Sequence, residues 1–182
     1  MVRRLIRNEQ VANIVEWIIS IAAAIILSLF IRQFVFTAAV VSGPSMEPTL
    51  QNGDRVIVNR ISIRLSAPEH GDIVAFPYPA HPEDKHIKRI VGVPGDIVDV
   101  QNHLILINGE LLVDYYSPDG VFLTGDMDLP VVIGYDEFFV LGDNRLNSKD
   151  SRFASVGLIQ RNDIIGSAWF RFIPIDNIGT LR

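Results

Sequence analysis

From Ile14 to Ile31 the chain runs IVEWIISIAAAIILSLFI, a stretch with a single charge at Glu16. As a helix at ~1.5 Å per residue it reaches roughly 27 Å, close to the hydrocarbon thickness of a bilayer. Trp17 near one end, and Phe34 and Phe36 beyond the other, suit the two membrane interfaces. Glu16 lies about a turn inside the first end, where it can reach the headgroups. Arg3, Arg4 and Arg7 precede the span, and the positive-inside rule then predicts a cytoplasmic N-terminus. A cleaved secretory signal and a buried core helix are the alternatives. The length of the apolar stretch opposes the first, as do Arg32, Gln33 and bulky Phe34 and Phe36 ahead of the small residues Thr37-Ala38-Ala39. The expectation is a cytoplasmic segment at 1–12, a transmembrane helix at 13–34 and an external domain at 38–182, in the cell membrane as a single pass.

With 182 residues, 48% hydrophobic and 20% charged, the chain holds one domain with a real core plus an appendage. That apolar content is too high for a disordered chain. Residues 1–40 carry a balance of +2 against an overall −5, which leaves −7 on the remainder. Such acidity argues against nucleic acid as a partner. There is no cysteine, which excludes a disulfide framework, thiolate metal centres and a cysteine nucleophile.

Beyond residue 40 no long stretch has helical periodicity. Short runs rich in Val, Ile and Phe read as strands at 54–59, 72–76, 87–93, 96–100, 104–107, 111–113, 137–141 and 163–172. Asn108-Gly109 is a two-residue hairpin signal, and Gly-Asp pairs at 53, 71, 95 and 142 mark turns beside strands. The Pro-rich segment 77–84 reads as a surface loop. The fold class is mainly β.

Three segments stand out chemically. In Ser42-Gly-Pro-Ser-Met-Glu-Pro-Thr-Leu50, prolines on both sides of Ser45 hold the backbone off regular pairing and display the hydroxyl. In His86–Asp96 (HIKRIVGVPGD) strand alternation sends Lys88 and Ile90 one way, and Ile87, Arg89 and Val91 the other. A lysine turned inward loses solvation and releases its proton more readily. In Gly142–Arg152 (GDNRLNSKDSR) the residues Asp143, Arg145, Asp150 and Arg152 can form paired charges, with Ser148 adding a hydroxyl. Taken singly, each has a plainer reading, as a turn serine, an exposed edge or a solvated loop. His70, His81, His86 and His103 read as surface or packing residues, since their spacing suits neither a helical metal site nor a triad. No metal and no cofactor are expected.

Together these segments resemble the type I signal peptidase family, membrane-bound serine proteases that remove signal peptides from exported proteins. The order matches throughout: an anchor, the SGPSMEPTL box, GDIV at 71–74, KRIVGVPGD at 88–96 and GDNRLNSKDSR at 142–152. The single anchor and short length resemble Gram-positive-type members. The resemblance implies a catalytic domain of two antiparallel sheets, as in the related repressor-type peptidases, with Ser45 as nucleophile and Lys88 as general base. It makes Ser148 the hydroxyl that orients the amine, Arg89 the companion of the lysine, and Asp143, Arg145, Asp150 and Arg152 the supporting loop. The implied partners are preprotein signal peptides and the lipid bilayer, with the secretion translocon as a further candidate. The position two before the nucleophile, serine in some members, is Gly43 here, so that oxyanion donor is missing. The backbone N–H of Ser45 can still donate, whereas Pro44 has none; Ser42 or a water are candidates for the second donor.

On this reading Ile90 and Met46 help to desolvate Lys88. Asp150 should pair with an arginine and stay away from Lys88, because a carboxylate would stabilise the ammonium. Val41, Met46, Leu50 and Ile87 are candidate walls of pockets for small side chains of an extended peptide. Two alternatives compete. A self-cleaving repressor-type peptidase would need a DNA-binding region where residues 1–40 stand. A membrane-tethered β domain that only binds partners would have no use for pairing Ser45 with Lys88.

Overall fold

The computed structural model describes residues 9–101, 104–112 and 125–181. Arg3, Arg4, Arg7, His103 and Val113 therefore lie outside the described residues. The chain divides between Phe36 and Thr37 into two compact units.

The first unit is a helix, α1, over Glu9–Phe34. It contains neither Gly nor Pro, and Glu9 in its first turn and Arg32 in its last complement the helix dipole. Its 26 residues extend about 39 Å. Trp17, Ile18, Ile21 and Ile26 are all more than half exposed, and the apolar window within Val11–Arg32, of mean hydropathy 2.5, is not buried at all. The helix is long and apolar enough to cross a membrane.

The second unit is built from two antiparallel sheets. Its strands are β1 (Phe36–Val40), β2 (Arg55–Asn59), β3 (Ile73–Tyr78), β4 (His81–Gly92), β5 (Ile97–Gln101), β6 (Leu104–Ile107), β7 (Glu110–Leu111), β8 (Val131–Val132), β9 (Glu137–Leu141), β10 (Ile159–Gln160), β11 (Gly166–Ile173) and β12 (Gly179–Thr180). Among the described residues the larger sheet runs β1-β2-β11-β3-β4-β9-β10, with β12 on β11, and the smaller runs β7-β6-β5-β8. One short helix, α2 (Ser62–Leu65), follows β2. Asn108 takes a positive φ of 55° and Gly109 one of 83°, as a two-residue hairpin turn between β6 and β7 requires.

The strand runs read from the sequence correspond to β2–β7, β9 and β11. The Pro-rich segment departs from its expected loop. It forms the arms of the β3–β4 hairpin, with Pro77 opposite Lys85 and only residues 79–80 at the turn. Pro77 is tolerated because β11 pairs with β3 only at Val74 and Ala75, and Pro82 because β9 pairs with β4 only at residues 89–92, leaving those outer edges unpaired among the described residues.

β3 is buried on both faces, which is why it reads as a continuous apolar run. Val74, Phe76 and Tyr78 pack with Ile90, Phe138 and Val140. Ile73 and Ala75 pack on the opposite side with Val41, Met46, Leu50, Val56 and Val58. A third cluster of Val91, Val98, Ile105, Ile133, Phe139 and Leu141 joins the smaller sheet to β4 and β9. Each fully buried side chain of this size contributes about 1.5–3 kcal/mol. Met46 and Leu50, at 1% and 0% exposure, thus fasten the turn that carries Ser45 to the core.

Candidate active site

Ser45 sits in an irregular turn between β1 and β2. Pro44 and Pro48 keep it out of either sheet, and the turn closes on itself through Glu47 N–H to the Pro44 carbonyl and Leu50 N–H to the Met46 carbonyl. Three polar contacts then fix it to the rest of the unit, and a fourth lies within the turn. Asn144 N–H donates to the Ser45 carbonyl at 3.1 Å, and Thr49 Oγ1 donates to Asp143 Oδ2 at 2.6 Å. Gly43 N–H donates to Asn52 Oδ1 at 3.0 Å, and Arg171 Nη1 donates to the Thr49 carbonyl at 2.9 Å. Thr49, Asn52, Asn144 and Arg171 escape the sequence reading. Only the position of the first three, within or next to two boxes already singled out, could have flagged them.

Lys88 comes from β4. The register sets it opposite Val74, and its neighbours Ile87 and Arg89 opposite Ala75 and Ile73. Its side chain is 3% exposed, and Nζ lies 2.7 Å from Ser45 Oγ and donates to the Ile87 carbonyl at 3.1 Å. The amine's pKa falls from 10.5 to about 8. Burial is the main cause; the fields of Asp150 and Asp143 oppose it and that of Arg152 assists. When the amine is neutral, its lone pair faces the Ser45 hydroxyl at the distance needed to accept that proton.

The supporting charges lie behind this pair. Arg89 grips Asp143 with Nε at 2.9 Å and Nη2 at 2.8 Å, and donates to the Gly71 carbonyl at 2.7 Å. Arg152 grips Asp150 with Nε at 2.7 Å and Nη2 at 2.8 Å, and also reaches the carbonyls of Arg145 and Ser148. Arg145 donates to the Gly142 carbonyl at 3.0 Å. The expected pairing within the loop therefore holds for Asp150 with Arg152, whereas Asp143 is held by Arg89 of the lysine strand. Asp150 forms no ion pair with Lys88, yet it is not remote, since its field still favours the ammonium.

Ser148 is 3% exposed, and its Oγ has no hydrogen-bond partner among the described residues. A Cβ at position 142 would overlap both that oxygen and the Ser45 carbonyl. Only glycine lets β9 end this close to both hydroxyl-bearing segments.

Val41, Met46 and Ile87 line a cavity of about 180 Å³ together with Ser45 and Lys88. Leu50 does not. It is fully buried in the cluster beneath, because Leu50 N–H closing on Met46 turns its side chain into the core. Of the histidines, His70 meets Asp96 at 2.7 Å, and His81 meets Glu83 at 3.7 Å on the exposed arm. His86 lines the cavity and stacks on Tyr78 at 4.6 Å, with no hydrogen bond to Ser45. Burial and the neighbouring Lys88 charge lower its pKa.

Residues 14–173 match the family described as Signal peptidase, peptidase S26. The chain belongs to that family. It is 39% identical over 177 residues to signal peptidase IB of Staphylococcus aureus strain COL, covering 89% of this chain and 91% of that one. It is 36% identical over 178 residues to signal peptidase I P of Bacillus subtilis subsp. natto, covering 92% and 93%. A crystal structure of a signal peptidase I from Enterococcus faecalis is 29% identical, with a TM-score of 0.46, and covers 56% of this chain and 97% of that one. This signal peptidase family member therefore shares about nine-tenths of its length with the two bacterial signal peptidases.

Proposed function

We propose that this chain is a membrane-bound serine endopeptidase that cleaves N-terminal signal peptides from exported preproteins after small residues. Ser45 is the nucleophile and neutral Lys88 the general base. The observation that carries this reading is the 2.7 Å contact between a hydroxyl and an amine that is 3% exposed.

Ser45 Oγ attacks the scissile carbonyl carbon while Lys88 Nζ takes its proton. The tetrahedral oxyanion collapses with loss of the C–N bond, and the ammonium protonates the departing amine. Lys88, neutral again, draws a proton from the incoming water, which attacks the acyl-enzyme ester; the ammonium then returns a proton to Ser45. The backbone N–H of Ser45 is the first oxyanion donor. Gly43 N–H is engaged by Asn52, so the second donor comes from elsewhere, with the Ser42 hydroxyl at the cavity wall as the candidate. Ser148 Oγ makes no hydrogen bond to Lys88 Nζ, which among the described residues meets only Ser45 Oγ and the Ile87 carbonyl, so its role in orienting the amine requires the hydroxyl to turn toward Nζ. Arg89, Asp143, Arg145, Asp150 and Arg152 hold the loop.

The peptide lies extended along the cavity with its main chain hydrogen-bonded and alternate side chains against Val41, Met46 and Ile87. A volume near 180 Å³, partly occupied by the peptide backbone, suits alanine-sized groups. α1 anchors the enzyme with the catalytic unit on the outer face.

The test is cleavage of a preprotein by the full chain in detergent. Ser45→Ala abolishes cleavage, and Lys88→Arg lowers it by at least ~10³-fold because guanidinium stays charged. Chelator has no effect. Near-normal turnover by Lys88→Arg overturns the general-base role, and persistent cleavage by Ser45→Ala overturns the nucleophile.

A further inference from the structure

The cavity carries more positive charge than the reaction uses. Besides Lys88 it is lined by Lys85 and Lys149, and no carboxylate lines it. The chain as a whole is acidic at −5, so this concentration runs against its composition. Elsewhere around the site buried cations are neutralised, Arg89 by Asp143 and Arg152 by Asp150. Lys85 and Lys149 make no ion pair among the described residues.

Lys149 is nonetheless held. Its Nζ stands 5.5 Å from the centroid of Tyr78, whose ring stacks on His86 with planes 10° apart. Tyr78 is itself buried in the core cluster that contains Val74 and Ile90. The Lys149 ammonium also hydrogen-bonds the Tyr78 side chain, which orders it, and it keeps its charge and its remaining donors for a ligand. Lys85 lies on β4 three residues before Lys88, so the hairpin fixes its backbone at the edge of the cavity. Two unneutralised ammonium groups on ordered supports, at the rim of a small apolar-walled cavity, form a preorganised site for a carboxylate.

We propose that the cleft selects substrates carrying an acidic side chain within three residues of the scissile bond, recognised by Lys85 and Lys149. This rests on the assignment of the cavity as the peptide-binding cleft. The small pocket walls then set which residues flank the cut, while the cationic rim ranks peptides that satisfy the walls equally.

The experiment is a set of peptides with one cleavage site, each bearing Asp or Asn at one of the three positions on either side. They are cleaved by the full chain and by the K85Q/K149Q double variant. The Asp-to-Asn ratio of kcat/KM at one position should be about fivefold, expressed mainly in KM. It should fall towards one in the double variant and at high salt. Anisotropy of the same peptides on Ser45→Ala reads binding without turnover and should show the same preference. Equal ratios at all positions, or a preference that survives in the double variant, overturn the proposal. So does stimulation by anionic vesicles that the double variant loses without any Asp preference, which would assign the rim to lipid headgroups. Failure of every peptide to be cleaved, with the anisotropy preference intact, counts against the proposed function and not against this site.

Discussion

Lys88 and Arg152 are both buried cations, 3% and 2% exposed, and their surroundings treat them in opposite ways. Arg152 has a carboxylate across its fork and two carbonyls on its remaining edges. Lys88 has one hydroxyl and one carbonyl. Burial alone does not decide the charge of a basic group; the partners left within reach decide it. The contrast also explains the arrangement of the loop. Asp150 favours the ammonium of Lys88 through its field, and Arg152 both occupies its oxygens and adds a counteracting charge.

Replacing both cations by methionine is the sharpest way to break the comparison. Arg152→Met leaves Asp150 buried without its partner and should cost about 3–5 kcal/mol in urea unfolding. A loss below ~1 kcal/mol would mean that the pair is not the fastener described. Lys88→Met should act in the other direction. The folded state holds the lysine proton less tightly than the unfolded state between pH 8 and 10.5, so burial of Lys88 is destabilising below pH 8 and neutral above 10.5. The variant should therefore gain up to about 3 kcal/mol at pH 7, with the advantage disappearing by pH 10.5, while losing cleavage. No gain at pH 7 would contradict a desolvated amine.

Smaller effects follow from the same contrast. Cleavage should rise with pH to a plateau above about 8 and fall roughly tenfold per unit below it, because only the neutral amine accepts a proton. A profile flat from pH 6 to 9 would separate Lys88 from the rate. Ile87→Ala should change neither stability curve much, but should widen the residues accepted next to the cut, letting valine compete with alanine by about threefold more. Unchanged selectivity would remove Ile87 from the pocket.

Much of this was legible residue by residue. β2, β3 and β9 read as strands because Val, Ile and Phe cluster between turn residues, and in β3 and β9 burial on both faces produces just such runs. Asn108-Gly109 announces its hairpin because few residue pairs adopt two successive positive φ angles. The juxtaposition of Ser45 with Lys88 came from the family resemblance that the boxes carry, as periodicity alone could not bring a turn residue and a strand residue together. β1 does not read as a strand, because its Thr37-Ala38-Ala39 segment is small and weakly β-forming until β2 pairs with it. Leu50 looks like a pocket wall from its distance to Ser45, and only the turn closing on Met46 sends it inward. The placement of Lys149 over Tyr78, and the grip of Arg171 on the Thr49 carbonyl, depend on contacts between distant segments. No local pattern encodes them.

An amine with a pKa near 8 is also chemically conspicuous. At pH 7 about a tenth of it carries a free lone pair, roughly three hundred times the share of an ordinary surface lysine. Electrophiles that discriminate by basicity, such as cyanate or small aldehydes under reduction, would therefore mark Lys88 ahead of the other lysines in the chain. An inhibitor with a warhead aimed at nitrogen in place of oxygen could exploit that difference.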